Sequence, residues 1–142
     1  MARRLHLGVR ADAIYTYGSH RSVGEVADFL EAKYQVIERF TNDNEKKIKA
    51  MAKAQSERNA HNVIKGRKPN LQPLFDEIKQ TFRTYITSKS LDGRVRGVPT
   101  LASLRGVNHR LKRPYAKKNP PRPSFFDTGL YVRSFKAWVE EA

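Results

Sequence analysis

Nine cations between Arg94 and Arg122 are the residues of this chain best suited to chemistry, and what they suit is the neutralisation of negative charge. Arg94, Arg96, Arg105, Arg110, Lys112, Arg113, Lys117, Lys118 and Arg122 share the stretch 91–126 with a single acidic residue, Asp92, and five of the seven prolines. Phosphate binding needs positive groups on an adaptable chain, and about six to ten contacts would make it steeply salt-dependent. No RRM, zinc-finger or KH signature accompanies them. Two other readings fit the same residues: an arm that wraps an acidic protein neighbour and orders on assembly, or a plain solvated loop. Residues 109–123, His-Arg-Leu-Lys-Arg-Pro-Tyr-Ala-Lys-Lys-Asn-Pro-Pro-Arg-Pro, form an extended polyproline-like strip that can lie across the next subunit of an oligomer.

Other chemistries lack their residues. His6, His20, His61 and His109 are the four histidines, and no two have metal-ligand spacing on a helix. Gly66-Arg67-Lys68 lacks the upstream glycine and the following hydroxyl of a P-loop. Gly93-Arg94-Val95-Arg96-Gly97 is flexible and basic but is not a dinucleotide fingerprint. There is no cysteine, which excludes disulfide scaffolds, thiolate zinc sites and cysteine nucleophiles. Glu31 and Glu38 are interleaved with lysine and arginine and read as a solvated helical face. The chain is expected to be no enzyme, with no cofactor, metal or small-molecule substrate.

The elements that must position the cations are mostly helical. The 142 residues suffice for one domain, 1–142, with 28 Lys plus Arg against 14 Asp plus Glu and a formal charge of +14. No apolar run approaches the roughly 20 residues of a membrane span, so a soluble, basic protein is expected. Residues 1–21 form an N-terminal arm or short β-ribbon: Leu5, Leu7 and Val9 alternate, then Ile14, Tyr15 and Tyr17 come after a turn near Arg10-Ala11-Asp12. Residues 22–90 form a helical body. Ser22-Val23-Gly24-Glu25 is a capping-box pattern, and Val23, Val26, Leu30, Tyr34, Ile37 and Phe40 recur at helical spacing. That spacing predicts one long helix over 22–64 with a weak point at Thr41-Asn42-Asp43-Asn44, or a second helix starting at Asn42.

Gly66 to Asn70 end that element, and Pro73 suits the first turn of the next. There Leu74, Phe75, Ile78, Phe82, Tyr85 and Ile86 make the clearest core stripe. Within the basic extended arm, 91–126, Pro99 to Leu104 can form one helical turn stopped by Gly106. The stretch 127–142 reads as a C-terminal helix, capped by Asp127 or Thr128, with Leu130, Tyr131, Ser134, Phe135 and Trp138 on one face. The fold class is mainly α, with three principal helices.

Pro123-Ser124-Phe125-Phe126-Asp127-Thr128-Gly129-Leu130-Tyr131-Val132-Arg133-Ser134-Phe135 resembles the Asp-Thr-Gly-x-Leu-x-x-Ser-hydrophobic signature of tailed-bacteriophage head–tail joining and tail-completion proteins. Asp127, Thr128 and Gly129 match directly, Leu130 is displaced by one position, and Ser134-Phe135 matches the closing pair. The family places this motif after a long amphipathic helix and a basic, proline-containing stretch, as here. Members continue into several β-strands beyond it, whereas this sequence ends at Ala142. The resemblance implies a virion structural protein of the neck or tail junction, assembled in the host cytoplasm as a ring of identical copies. It implies portal, adaptor or tail-tube neighbours and a lumen through which DNA passes, with no membrane partner. On that view Arg105, Arg110, Lys112, Arg113, Lys117, Lys118 and Arg122 meet protein or nucleic acid. The alternative is a small basic nucleic-acid-binding protein.

Overall fold

A computed structural model describes residues 3–9, 23–106, 120–126 and 130–141. In chain order the elements are β1 (Arg3–Val9), α1 (Val23–Tyr34), α2 (Val36–Ile64), α3 (Gln72–Thr87), α4 (Leu101–Arg105), α5 (Leu130–Ser134) and β2 (Phe135–Glu141). The fold is mainly helical, with one small antiparallel sheet made from strands near the two ends of the chain. No helix among the described residues is long and apolar enough to cross a membrane.

The expected long helix over 22–64 is two helices, and the break lies at Gln35 rather than at 41–44. Gln35 takes a left-handed conformation, φ 53° and ψ 46°. In an uninterrupted helix, residues 34 and 36 point about 200° apart and cannot face one core. The turn at Gln35 removes that conflict, so Tyr34, Val36 and Phe40 are all buried. Continuity of the backbone survives, because Gln35 N–H donates to Glu31 O at 3.0 Å and Arg39 N–H donates to Gln35 O at 2.9 Å. The Glu31 carboxylate accepts from Ile37 N–H, which satisfies an orphan donor at the start of α2. Residues 41–44 stay helical because their polar side chains turn back on the helix: Thr41 Oγ1 donates to Ile37 O and Asn44 Nδ2 to Phe40 O. Ser22, the proposed cap of α1, lies outside the described residues.

α3 carries the stripe read from the sequence. Leu74, Ile78, Phe82, Tyr85 and Ile86 are buried, Phe75 is half-buried, and Pro73 sits in the first turn. Phe82 is the hub of an aromatic cluster. It stacks on Phe135 at 4.1 Å, meets Phe40 edge-on at 5.1 Å and faces Tyr131 at 6.0 Å. One side chain therefore joins α2, α3, α5 and β2.

The C-terminal helix expected over 127–142 stops at Ser134. Phe135–Glu141 is a strand, paired antiparallel with β1 in a register that sets Leu5 against Val139, Leu7 against Ala137 and Val9 against Phe135. Leu5, Leu7, Val9, Phe135 and Ala137 belong to the core, and alternation sends His6, Lys136, Trp138 and Glu140 to the other face. Phe135 and Trp138 thus lie on opposite faces, where a helix would have set them side by side. The alternation of Leu5, Leu7 and Val9 does mark a strand, and among the described residues its partner is β2; Ile14, Tyr15 and Tyr17 of the expected ribbon lie outside the described residues. The residues of the expected turn, 10–12, lie outside the described residues.

Candidate interaction surface

Of the seven cations singled out for partner contact, Arg105 and Arg122 are described; Arg110, Lys112, Arg113, Lys117 and Lys118 lie outside the described residues. The described parts of 91–126 are fastened to the body. Leu91 and Val98 are buried, and Arg94 grips α2 by a paired contact, Nη1 to Asp43 Oδ2 at 2.8 Å and Nη2 to Asp43 Oδ1 at 3.0 Å. Tyr85 Oη donates to the same Oδ2 at 2.7 Å. The Arg94 guanidinium, followed by the Tyr85 hydroxyl, holds the Asp43 carboxyl below its usual range. Burial, with the hydrogen bond to Asp43 next, pushes the Tyr85 phenol well above its ordinary value.

α4 is the single turn expected between Pro99 and Leu104. Ser103 N–H donates to Thr100 Oγ1 at 3.1 Å, and Gly106, at φ 61°, closes the helix in the left-handed conformation that a Cβ disfavours. A buried hydroxyl pair then staples residues 120–126 onto this turn. Ser103 Oγ and Ser124 Oγ are 2.9 Å apart, Thr100 N–H donates to Ser124 Oγ at 3.1 Å, and Arg122 N–H donates to Ser103 O at 2.8 Å. Residues 106 and 120 therefore leave from one fixed place. Arg105 is exposed there. Arg122 turns toward backbone instead, its Nη1 donating to Pro123 O at 3.1 Å.

Of the motif residues, Asp127, Thr128 and Gly129 lie outside the described residues, so the proposed cap does too. Leu130 is half-buried, Ser134 is buried, and Phe135 is fully enclosed in the aromatic cluster. Trp138 lies on the outer face of the sheet between His6, stacked at 5.4 Å, and the Lys136 ammonium at 4.9 Å. Its indole N–H donates to Glu140 Oε1 at 3.0 Å, and Glu140 Oε2 is 3.4 Å from His6 Nε2. A Cβ built on Gly8 would stand 3.0 Å from the Trp138 ring, so glycine at that position admits the indole.

The sequence reading missed a groove beside α5. A cavity of about 260 Å³ opens between α3 and α5, lined by Asp76, Lys79, Gln80, Arg83, Val132 and Arg133. Lys79 and Arg83 stand four residues apart on α3, exposed along the border of its apolar stripe. That spacing was legible, but nothing in the sequence placed Arg133 beside it. Among the described residues, no three His, Cys, Asp or Glu side chains converge as metal ligands would. No family model, no curated protein and no solved structure matches this chain.

Proposed function

We propose that this chain is a structural protein of the phage neck, a head–tail connector or tail-completion ring that acts by assembly between portal or adaptor and tail. The observation that carries the reading is the Asp127-Thr128-Gly129-Leu130…Ser134-Phe135 stretch, whose last residue opens the strand Phe135–Glu141. Further support comes from the fastening of 91–106 and 120–126, the described residues on either side of the most basic part of the chain. Such an arrangement suits a segment that reaches toward an adjacent subunit. The role is mechanical, and partners are other copies of the chain and the portal, adaptor or tail-tube rings, with DNA in the lumen.

Two measurements test this. Light scattering on the purified chain should give a multiple of 16.3 kDa, and purified virions should contain the protein in a fixed ratio to portal. Absence from particles, with a monomer at every concentration, would overturn the reading. A monomer that shifts duplex DNA in a salt-sensitive manner would favour the small nucleic-acid-binding protein.

A further inference from the structure

We propose that the groove between α3 and α5 is a phosphate-binding site for the backbone of duplex DNA, held chiefly by Lys79 and Arg83. The lining contains three cations, Lys79, Arg83 and Arg133, against one carboxylate, Asp76. Asp76 already accepts a hydrogen bond from Gln72 Nε2 at 2.8 Å. Among the described residues, neither Lys79 nor Arg83 has a carboxylate partner. The Arg83 guanidinium is instead centred 5.5 Å over the Phe126 ring. That contact fixes its position through the cation's face and leaves its N–H donors unspent, the state in which arginine recognises phosphate. Val132, only 1% exposed, lines the same groove. An apolar neighbour of this kind lowers the local dielectric and strengthens attraction to an entering anion.

A polyanion fits better than an acidic protein surface. The chain carries a formal charge of +14, and a field of that size steers toward the densest negative charge available. Duplex DNA presents one charge per about 1.7 Å of axis. Phe126, beneath Arg83, is the last residue of the basic stretch 91–126, which joins the groove to the most positive part of the sequence. The neck reading is not required: particle incorporation tests that reading, and DNA affinity tests this one.

The test is fluorescence anisotropy on a short labelled duplex across a salt series, with the full chain. The doubly substituted Lys79→Gln/Arg83→Gln protein is compared with Lys46→Gln/Lys47→Gln, an equal loss of charge on the exposed side of α2. Thermal melts of both should match the parent, because all four side chains are exposed. The groove variant is expected to bind about tenfold or more weakly, with the slope of log K against log salt shallower by about 2. The α2 variant should change the slope by less than about half as much. Asp76→Asn, which removes the one carboxylate of the lining, should tighten binding a few-fold. Equal weakening in both double variants would mean a diffuse field and would overturn the site. So would a parent chain that ignores DNA, including one whose groove takes a polyglutamate peptide instead.

Discussion

The two halves of α2 are fastened to the rest of the molecule by different means. Near Asp43 the helix lies on the aromatic cluster, with Phe40 fully enclosed, and a charged clasp of Asp43, Arg94 and Tyr85 closes over that packing. Near Gln55 the buried apolar contribution has thinned to Ile48 and Met51, and the clasp is built on an uncharged amide. Gln55 is 3% exposed. Its Nε2 donates to Asn70 O at 2.8 Å and its Oε1 accepts from Arg58 Nη2 at 2.7 Å, while Asn70 N–H donates to Asn59 Oδ1 at 3.0 Å. Beyond it Val63 and Ile64 are exposed, Ile64 by 82%. The difference teaches where each polar group matters. Over a dense core a clasp refines a position already set by packing, whereas at the thin end the buried amide is itself the attachment of the α2–α3 connection.

Phe82→Ala should break the dense half, at a cost of about 3–5 kcal/mol, the range for removing a buried phenylalanine. Chemical denaturation measures it, and an unchanged midpoint would mean the α3 stripe is not the core. Gln55→Ala comes next, at about 1–2 kcal/mol, because a buried side chain is removed together with its hydrogen bonds to Asn70 O and from Arg58. Hydrogen exchange should show the loss concentrated at residues 59–72, and protection falling equally across α3 would contradict the division into halves.

Tyr85→Phe keeps the ring and removes only the hydroxyl, so a smaller loss of about 1 kcal/mol is expected. The same clasp makes this half of α2 sensitive to pH. Asp43 has a folded value below its unfolded 3.8. Its contribution is therefore complete above that value and disappears as pH falls through the lower, folded one. Tyr85 is raised from 10.0, so its contribution is complete below 10 and fades as pH rises beyond it, where the unfolded chain ionises first. Stability of the parent should thus sag at both extremes. In the Arg94→Ala variant the acid-side change should shrink, and an identical pH profile would show that Asp43 is not held by this partner. The smallest effect belongs to Ile64→Ser, within about 0.5 kcal/mol, as expected for an exposed position making no core contact. A marked loss of stability there would show that the far end of α2 is covered.

Much of the core is legible in the residues alone. The α3 stripe is a pure 3.6-residue pattern on a helix whose other side is polar, and Leu5, Leu7 and Val9 alternate with a period of two. Gly106 announces the end of α4, since glycine readily takes the left-handed conformation that closes a helix. The groove was not legible, because Lys79 and Arg83 are ordinary surface residues until Val132 and Arg133 are brought beside them from about fifty positions away along the chain. The Ser103–Ser124 staple was hidden for the same reason, since a serine reveals nothing of its partner until two distant segments meet.

The sequence by itself determined the local choices: which stretches could be helical, which face of α3 is apolar, where prolines and capping residues end an element, and that the chain is strongly basic. Tertiary structure decided those cases in which local preference was balanced. Phe135 to Trp138 suit a helical face as well as an alternating strand, and the row of Leu5, Leu7 and Val9 tipped them to a strand by pairing apolar residue with apolar residue. Residues 34–36 would continue a helix in isolation. Burying Tyr34, Val36 and Phe40 in one core required the left-handed turn at Gln35, because helical geometry alone points two of them in nearly opposite directions.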